Sequence, residues 1–470
     1  MASVYETKRI NVYPKTMQQP NIMKLSNLDR QCPTLMYLVL FYNPSHNDYI
    51  YNHNNNNVSI FSRLKEALEE TLTIYYPAAG RLSRNPNDGK LNIWCNNGGA
   101  IMVDAFTQTR ICELGNLSQY NHFFDKLVYK PVFSGDISHM PLLVAQVTKF
   151  GCGGYSIGIG TSHALFDGQA TFNFLSVWAS KASLNNNVTG QGKALDWHKP
   201  MHTRETLHTI CRHQTPTNSP TAFANCSAIQ HLYQLIVQAS PGGVMLNNPQ
   251  AFVSSTPEDC VLKTFHFTSS MIENLKRRVS YGFNNYSSPC SSFEIVTAHL
   301  WKARTKALGL RRDRMVCLQF SVDTRTRLTP PLPQGFSGNA YVLASVALSA
   351  GELELASYET IVQKIKAAKN SVNNQYVSSY LEALEGSGDA ALPPLRELTM
   401  VSDWTRTPFH KVNFMSNGQA AASACPLLPP VPQVAYFLQN PKEDKGIDVR
   451  IGLSSQILSA FSHYFLQTLN

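Results

Sequence analysis

With 470 residues, 43% of them hydrophobic and 15% charged, the chain is long enough for two domains with a core each and too apolar to be disordered overall. A formal net charge of +9 suits an anionic ligand. Nucleic acid is not the expected partner, because no recognition-helix, zinc-finger or RNA-binding motif is present. Clusters such as Lys276-Arg277-Arg278 and Arg311-Arg312 are short and read as solvated faces.

In chain order, Thr7-Lys8-Arg9 and Asn11 interrupt any secretory hydrophobic core, and no uncharged apolar run reaches membrane-spanning length. A cytoplasmic chain with no transmembrane segment is expected, an association with the endoplasmic reticulum surface being left open. Asn52-His53-Asn54-Asn55-Asn56-Asn57 reads as a surface loop. A helix follows in which Phe61, Leu64, Leu68 and Leu72 share one face. Residues 154–162 alternate, with Tyr155, Ile157 and Ile159 on one side and small or polar residues on the other, which predicts a strand with unequal faces. After Asp167 the apolar period becomes helical through Phe172, Leu175, Trp178 and Ala179, and Asp167 stands where an N-cap belongs.

A polar crossover rich in Thr, His, Pro and Asn runs from Ser183 to about residue 224. A helix is then expected over Ala228 to Ala239, followed by a loose segment from Pro241 to Asp259. Ser291-Ser292-Phe293-Glu294 forms a capping box that opens another helix. Gly335 to Asn339 reads as a turn between strand-like Phe320–Asp323 and Tyr341–Leu348, which gives Asn339 a structural role. The division expected from this order is a first domain over 1–182, a linker over 183–224 and a second domain over 225–470. Ten cysteines are scattered with no Cys-x-x-Cys pair, a pattern of reduced thiols, and sequons such as Asn57-Val58-Ser59 and Asn187-Val188-Thr189 are then expected to be unused.

Chemistry concentrates at Gly158-Ile159-Gly160-Thr161-Ser162-His163-Ala164-Leu165-Phe166-Asp167-Gly168, where a strand gives way to a helix. An imidazole at a strand exit can accept a proton from an alcohol or amine near neutral pH. On the residues alone His163 is open to two readings, a hydrogen-bonded core histidine or a general base. No metal is expected, since His410 and the scattered cysteines offer no sequence-close ligand set. Asp167 as a cap is compatible with either reading of His163.

Six ordered stretches along nearly the whole chain resemble the plant BAHD acyl-CoA-dependent acyltransferases. They are Leu25-Ser26-Asn27-Leu28-Asp29, Tyr76-Pro77-Ala78-Ala79-Gly80-Arg81, the His163 to Gly168 run, Val322-Asp323-Thr324-Arg325 leading into Pro331-Leu332-Pro333, Gly335-Phe336-Ser337-Gly338-Asn339, and Ser402-Asp403-Trp404-Thr405-Arg406. The resemblance implies an α/β, two-domain chloramphenicol-acetyltransferase-like fold with mixed sheets flanked by helices and an active-site channel between the domains. It implies acyl transfer from coenzyme A to a hydroxyl or amine, with His163 as general base and Asp167 supporting it through an arginine, for which Arg304 and Arg325 stand equal. Ser402 and Trp404 would contact the tetrahedral intermediate, and Ser291 or Ser292 would add a coenzyme A contact beyond the ordinary cap. Acyl-CoA enters as a co-substrate beside a hydroxylated small-molecule acceptor, no permanent cofactor is implied, and a monomer is expected.

One motif departs from the family pattern. Where Asp-Phe-Gly-Trp-Gly usually stands, this chain has Asn413-Phe414-Met415-Ser416-Asn417 followed by Gly418. Asn413 keeps hydrogen-bonding capacity but not charge, which bears on coenzyme A binding. Within the family the chain is similar to the brassinosteroid-related acyltransferases through Leu25 to Pro33, Leu127-Val128-Tyr129-Lys130-Pro131 and Arg450-Ile451-Gly452-Leu453. A hydroxylated brassinosteroid is the implied acceptor. The rival reading is a catalytically silent relative acting by protein or acyl-ligand binding, as in very-long-chain fatty acid elongation.

Overall fold

A computed structural model describes residues 3–44, 59–132, 135–184, 198–210, 260–280, 290–385, 395–414, 421, 423–427 and 433–466. The Asn52–Asn57 tract, both sequon asparagines, the helix expected over 228–239, the segment 241–259 and Met415 to Gly418 lie outside these residues. The strands are β1 (Tyr5–Val12), β2 (Asn21–Lys24), β3 (Leu35–Tyr42), β4 (Arg81–Arg84), β5 (Leu91–Cys95), β6 (Ala100–Thr107), β7 (Leu143–Phe150) and β8 (Tyr155–Ser162). Then come β9 (Cys260–Phe267), β10 (Met315–Asp323), β11 (Tyr341–Ser349), β12 (Leu398–Asp403), β13 (Ser423–Pro426), β14 (Val434–Gln439) and β15 (Ile447–Ser454).

The chain divides into two compact units, and the division is not a simple bisection. The first unit takes Met1–His208, Leu332–Asn339 and Thr407–Leu428; the second takes Thr209–Pro331, Ala340–Arg406 and Pro429–Asn470. The order of elements in the sequence predicts a single domain from residue 225 onward. Segments 332–339 and 407–428 belong instead with the first unit, where β13 pairs antiparallel with β3. Part of the expected linker, residues 198–208, is also packed into that unit.

Among the described residues the first unit carries a six-stranded sheet in the order β1-β6-β7-β8-β3-β13, mixed because β6 and β7 run parallel, and a three-stranded sheet β2-β5-β4. Strand β8 lies inside the larger sheet between β7 and β3. Its faces are not unequal as expected: every residue from Ser156 to Ser162 is buried. The small residues on the second side make room for chain, not water. A Cβ at Gly158 would lie 2.0 Å from the Leu127 carbonyl oxygen, so the turn that carries Phe124 and Leu127 packs against bare backbone.

The helix Ile60–Ile74 is capped by Ser59, whose Oγ accepts from Ser62 N at 3.1 Å, and buries Phe61, Leu64, Leu68 and Leu72 as its periodicity requires. It meets the helix Gly168–Leu184 at Trp178. The indole Nε1 donates to Leu64 O at 2.9 Å, and the indole and Phe414 rings meet edge to face with centroids 4.9 Å apart. An indole buried this way loses no hydrogen bond on leaving water, so its large apolar area contributes in full.

Among the described residues the second unit carries a six-stranded mixed sheet, β11-β10-β12-β14-β15-β9, in which β10, β12 and β14 run parallel. The helix Ser292–Ala307 buries most of its surface, including His299, whose Nδ1 lies 2.7 Å from Tyr358 Oη and whose Nε2 lies 2.9 Å from Phe465 O. Glu294 in its first turn pairs with Lys369 of the helix Tyr358–Asn370. Among the described residues no helix is long and apolar enough to cross a membrane.

Candidate active site

Local hydrogen bonds deliver His163 at the end of β8. Its backbone N–H donates to Thr34 O at 2.8 Å, and the Ser162 carbonyl accepts from Leu165 N at 3.0 Å and Phe166 N at 3.1 Å, turning the chain. Asp167 then starts the helix Gly168–Leu184. Its Oδ1 accepts from Ala170 N at 2.9 Å and its carbonyl from Thr171 N at 2.8 Å, which is the cap expected from the change of period. Phe166 stacks on Phe174 at 5.4 Å, so the turn is anchored in the core on its far side.

The near side is held by a buried polar network. Asn339 Nδ2 donates to the His163 carbonyl at 2.7 Å and to Asp29 Oδ1 at 3.0 Å, while Asn339 N also donates to Asp29 Oδ1 at 3.0 Å. The other carboxylate oxygen, Oδ2, accepts from Ser26 N at 3.0 Å, Ser26 Oγ at 2.7 Å and Arg204 Nε at 2.9 Å. The Asp29–Arg204 ion pair is sealed, with side-chain exposures of 0% and 1%. Arg204 Nη1 donates to His202 O at 2.7 Å and the guanidinium carbon lies 5.1 Å from the centroid of the Phe336 ring. Gly338 lets the guanidinium approach: a Cβ there would stand 2.4 Å from Arg204 Cζ.

Burial alone would push the Asp29 carboxyl up, but the Arg204 charge and the donors from Asn339 and Ser26 hold it below the usual carboxylate range. Desolvation pulls the His163 imidazole below its ordinary value, against the opposing influence of its own backbone, the Asp167 charge, Asn339 and the Asp29 charge. The imidazole is therefore neutral at pH 7. A neutral, half-buried imidazole fixed through both backbone polar groups can take up a proton without first shedding one.

The other sequence-predicted residues fall in the second unit. Ser402, in β12, accepts a hydrogen bond from Trp404 Nε1 at 3.0 Å, and the indole packs edge-on against Tyr436 at 5.9 Å. Trp404 N donates to Phe437 O at 2.8 Å, tying the strand exit to β14. Ser291 caps its helix in a full capping box, accepting from Glu294 N at 3.2 Å while Glu294 Oε2 accepts from Ser291 N at 2.9 Å; Ser292 is the first helical residue. Of the two arginines considered for Asp167, Arg304 is fully buried and donates to Leu398 O, Thr399 Oγ1 and Arg396 O. Arg325 bonds Asp323 at 3.2 Å. In the altered motif, Phe414 keeps a packing role against Trp178, and its carbonyl accepts from Arg63 Nη2 at 3.3 Å.

Sequence reasoning missed the roles of Asp29 and Arg204 and the link from Asn339 to His163. Arg204 lies in the polar crossover, 175 positions from Asp29, and no local pattern marks a crossover arginine as buried. The signal that was present is Ser26-Asn27-Leu28-Asp29, a capping box around a helix of four residues, too short to justify a cap for its own sake.

Residues 2–468 match the model of the Transferase family. The chain is 50% identical to brassinosteroid-related acyltransferase 1 of Arabidopsis thaliana over 469 residues, covering 98% of this chain and 97% of that protein. It is 27% identical to omega-hydroxypalmitate O-feruloyl transferase of the same plant, over 99% of this chain and 93% of that one. Among solved structures, vinorine synthase superposes with a TM-score of 0.70 at 19% identity, covering 99% of this chain and 98% of that chain. TRI101 of F. sporotrichioides, complexed with coenzyme A and T-2, gives 0.63 at 12% identity over 94% and 97%. Both likenesses bear on the fold, which is chloramphenicol-acetyltransferase-like as the resemblance implied. With a family match over almost the entire chain and a half-identical full-length relative, the protein belongs to the plant BAHD acyl-CoA-dependent acyltransferases.

Proposed function

We propose that the protein moves an acyl group from coenzyme A to a hydroxyl of a small plant metabolite, a hydroxylated steroid of the brassinosteroid class, with His163 as general base. The observation that carries this reading is the placement of His163 at the end of β8, anchored through its backbone N–H to Thr34 and its carbonyl to Asn339, where burial also pulls the imidazole below its ordinary value. His163 takes the hydroxyl proton as the acceptor oxygen attacks the thioester carbonyl, forming a tetrahedral oxyanion. Collapse breaks the carbon–sulfur bond, and the departing thiolate takes the proton from the imidazolium, leaving an ester and free coenzyme A. Asp167 is given a supporting role by its cap, which fixes the turn that follows His163. Ser402 is assigned as a hydroxyl donor to the oxyanion; because its oxygen accepts from Trp404 Nε1, its own proton is available to be donated.

The steroid acceptor is supported by the name of the half-identical relative. Acyl-CoA as co-substrate is supported by the family and by coenzyme A in the TRI101 complex. Ser291 and Ser292 are kept as a coenzyme A contact at the start of their helix, and a cytoplasmic monomer remains the expected state. The test is release of free coenzyme A from a panel of acyl-CoA donors with hydroxylated steroids, phenols and alkyl alcohols as acceptors. Acceptor-dependent release by the wild type, lost in folded His163→Ala, is the expected result. Transfer that survives His163→Ala overturns the base assignment, and no release from any pair with folded protein favours a silent accessory relative. Because the imidazole is depressed, the acid limb of kcat/KM is expected below the ordinary histidine value of 6.5, with activity flat through neutrality.

A further inference from the structure

Asp29, Arg204 and Asn339 come from three separate parts of the sequence and converge, fully buried, behind the backbone of His163. An ion pair withdrawn from water is no gift to stability, since desolvating both charges offsets much of their attraction. The network also has a direction. Asp29 Oδ1 accepts from both the backbone and the side-chain amide of Asn339, and that side-chain amide also binds the His163 carbonyl. Arg204 and Ser26 occupy Oδ2, fixing the carboxylate plane from the opposite side.

We propose that Asp29 and Arg204 form a buried anchor that acts through Asn339 to hold the His163 backbone in register, making all three positioning residues for the base. The inference rests on the general-base reading of His163 and goes beyond it in naming what sets that base. None of the three is assigned contact with substrate. The crossover segment thereby becomes part of the machinery: Arg204 is delivered to Asp29 by residues 198–204, which are themselves tied to the 335–337 turn through Met201 N to Gly335 O at 2.9 Å and Ser337 N to Met201 O at 2.9 Å. A rigid support of this kind matters because a catalytic group misplaced by about 1 Å loses on the order of 10²-fold in rate.

Among the described residues, the charged and polar groups with the largest influence on the imidazole include Asp167 from the turn, Asp29 from the helix Asn27–Arg30 and Asn339 from the 332–339 segment. Both Asp29 and Asn339 favour the protonated ring, so removing either moves its titration to lower pH. The experiment uses the full chain with labelled histidine, the His163 imidazole signal being assigned by its absence in His163→Ala. Its midpoint is read in wild type, Asp29→Asn and Asn339→Ala, and kcat and KM for donor and acceptor are measured beside it.

The expected result is a midpoint displaced to lower pH in both variants, with other histidine signals unmoved, and a fall in kcat of about 10²-fold at near-constant KM. A midpoint unchanged in both folded variants overturns the proposal, as does a loss confined to KM. Asn339→Ala keeps the test sound where Asp29→Asn fails to fold, because it leaves the Asp29–Arg204 pair and the backbone donor at 339 intact. If His163→Ala still transfers acyl groups, the base reading fails separately, and the anchor is decided by the His163 backbone amide signal, expected to move in Asn339→Ala and overturning the anchor if it does not.

Discussion

Arg204 is the residue whose removal separates a structural ion pair from an ordinary surface charge. Substituting Arg204→Met leaves the Asp29 carboxylate buried with its cation gone, a change that typically costs about 3–5 kcal/mol. Urea unfolding of the variant is expected to show that loss in midpoint with little change in slope, whereas Arg311→Met, at an exposed pair with Asp313, is expected to stay within about 1 kcal/mol of wild type. Equal effects at the two sites would contradict the burial argument. The contrast also bears out the sequence reading of Arg311-Arg312 as a solvated face: Arg311 meets Asp313 and Arg312 meets Glu354, both in water.

At the scale of elements, strand β8 and the helix Gly168–Leu184 present His163 from a turn locked at either end, by Thr34 at its start and by the Asp167 cap at its finish. The helix Ser292–Ala307 offers a cleaner test of how a cap and a binding role are told apart. Ser291→Ala breaks the capping box and is expected to lower stability by about 1 kcal/mol, while Ser291→Asn keeps a capping oxygen and is expected to restore it. A KM for acyl-CoA that stays raised in the stable Ser291→Asn variant would show a contact with the donor; wild-type KM in both would leave Ser291 as a cap alone.

For the whole molecule, acid stability is set in part by imidazoles that fold neutral. Burial holds His202 in the first unit and His299 in the second at about 4, against an ordinary value of 6.5. Between those values the unfolded chain takes up protons that the folded chain refuses, so stability is fully present above about pH 6.5, falls as pH drops, and these two residues contribute no further loss below about 4. Thermal melts from pH 8 to 4 are expected to show this decline, and His299→Gln is expected to flatten its share; a melting temperature constant from pH 7 to 5 would contradict it. Desolvation lowers the His163 imidazole in the same direction.

The sequence by itself determined the features that depend on near neighbours. The period change at Asp167, the capping box at Ser291 and the apolar face from Phe61 to Leu72 are all set within a few residues, and each appears in the fold. Ordered motifs likewise marked His163, Ser402 and Trp404 for chemistry. Tertiary structure alone decided that both sides of β8 are covered, because Gly158 and its small neighbours admit backbone from a turn outside their own hairpin. It also decided that segments 332–339 and 407–428 pack with the first unit, and that Arg204 reaches Asp29 across 175 positions to support Asn339 and His163. Those outcomes turn on desolvation and on which distant groups satisfy a buried carboxylate, quantities that exist only once the chain has closed on itself.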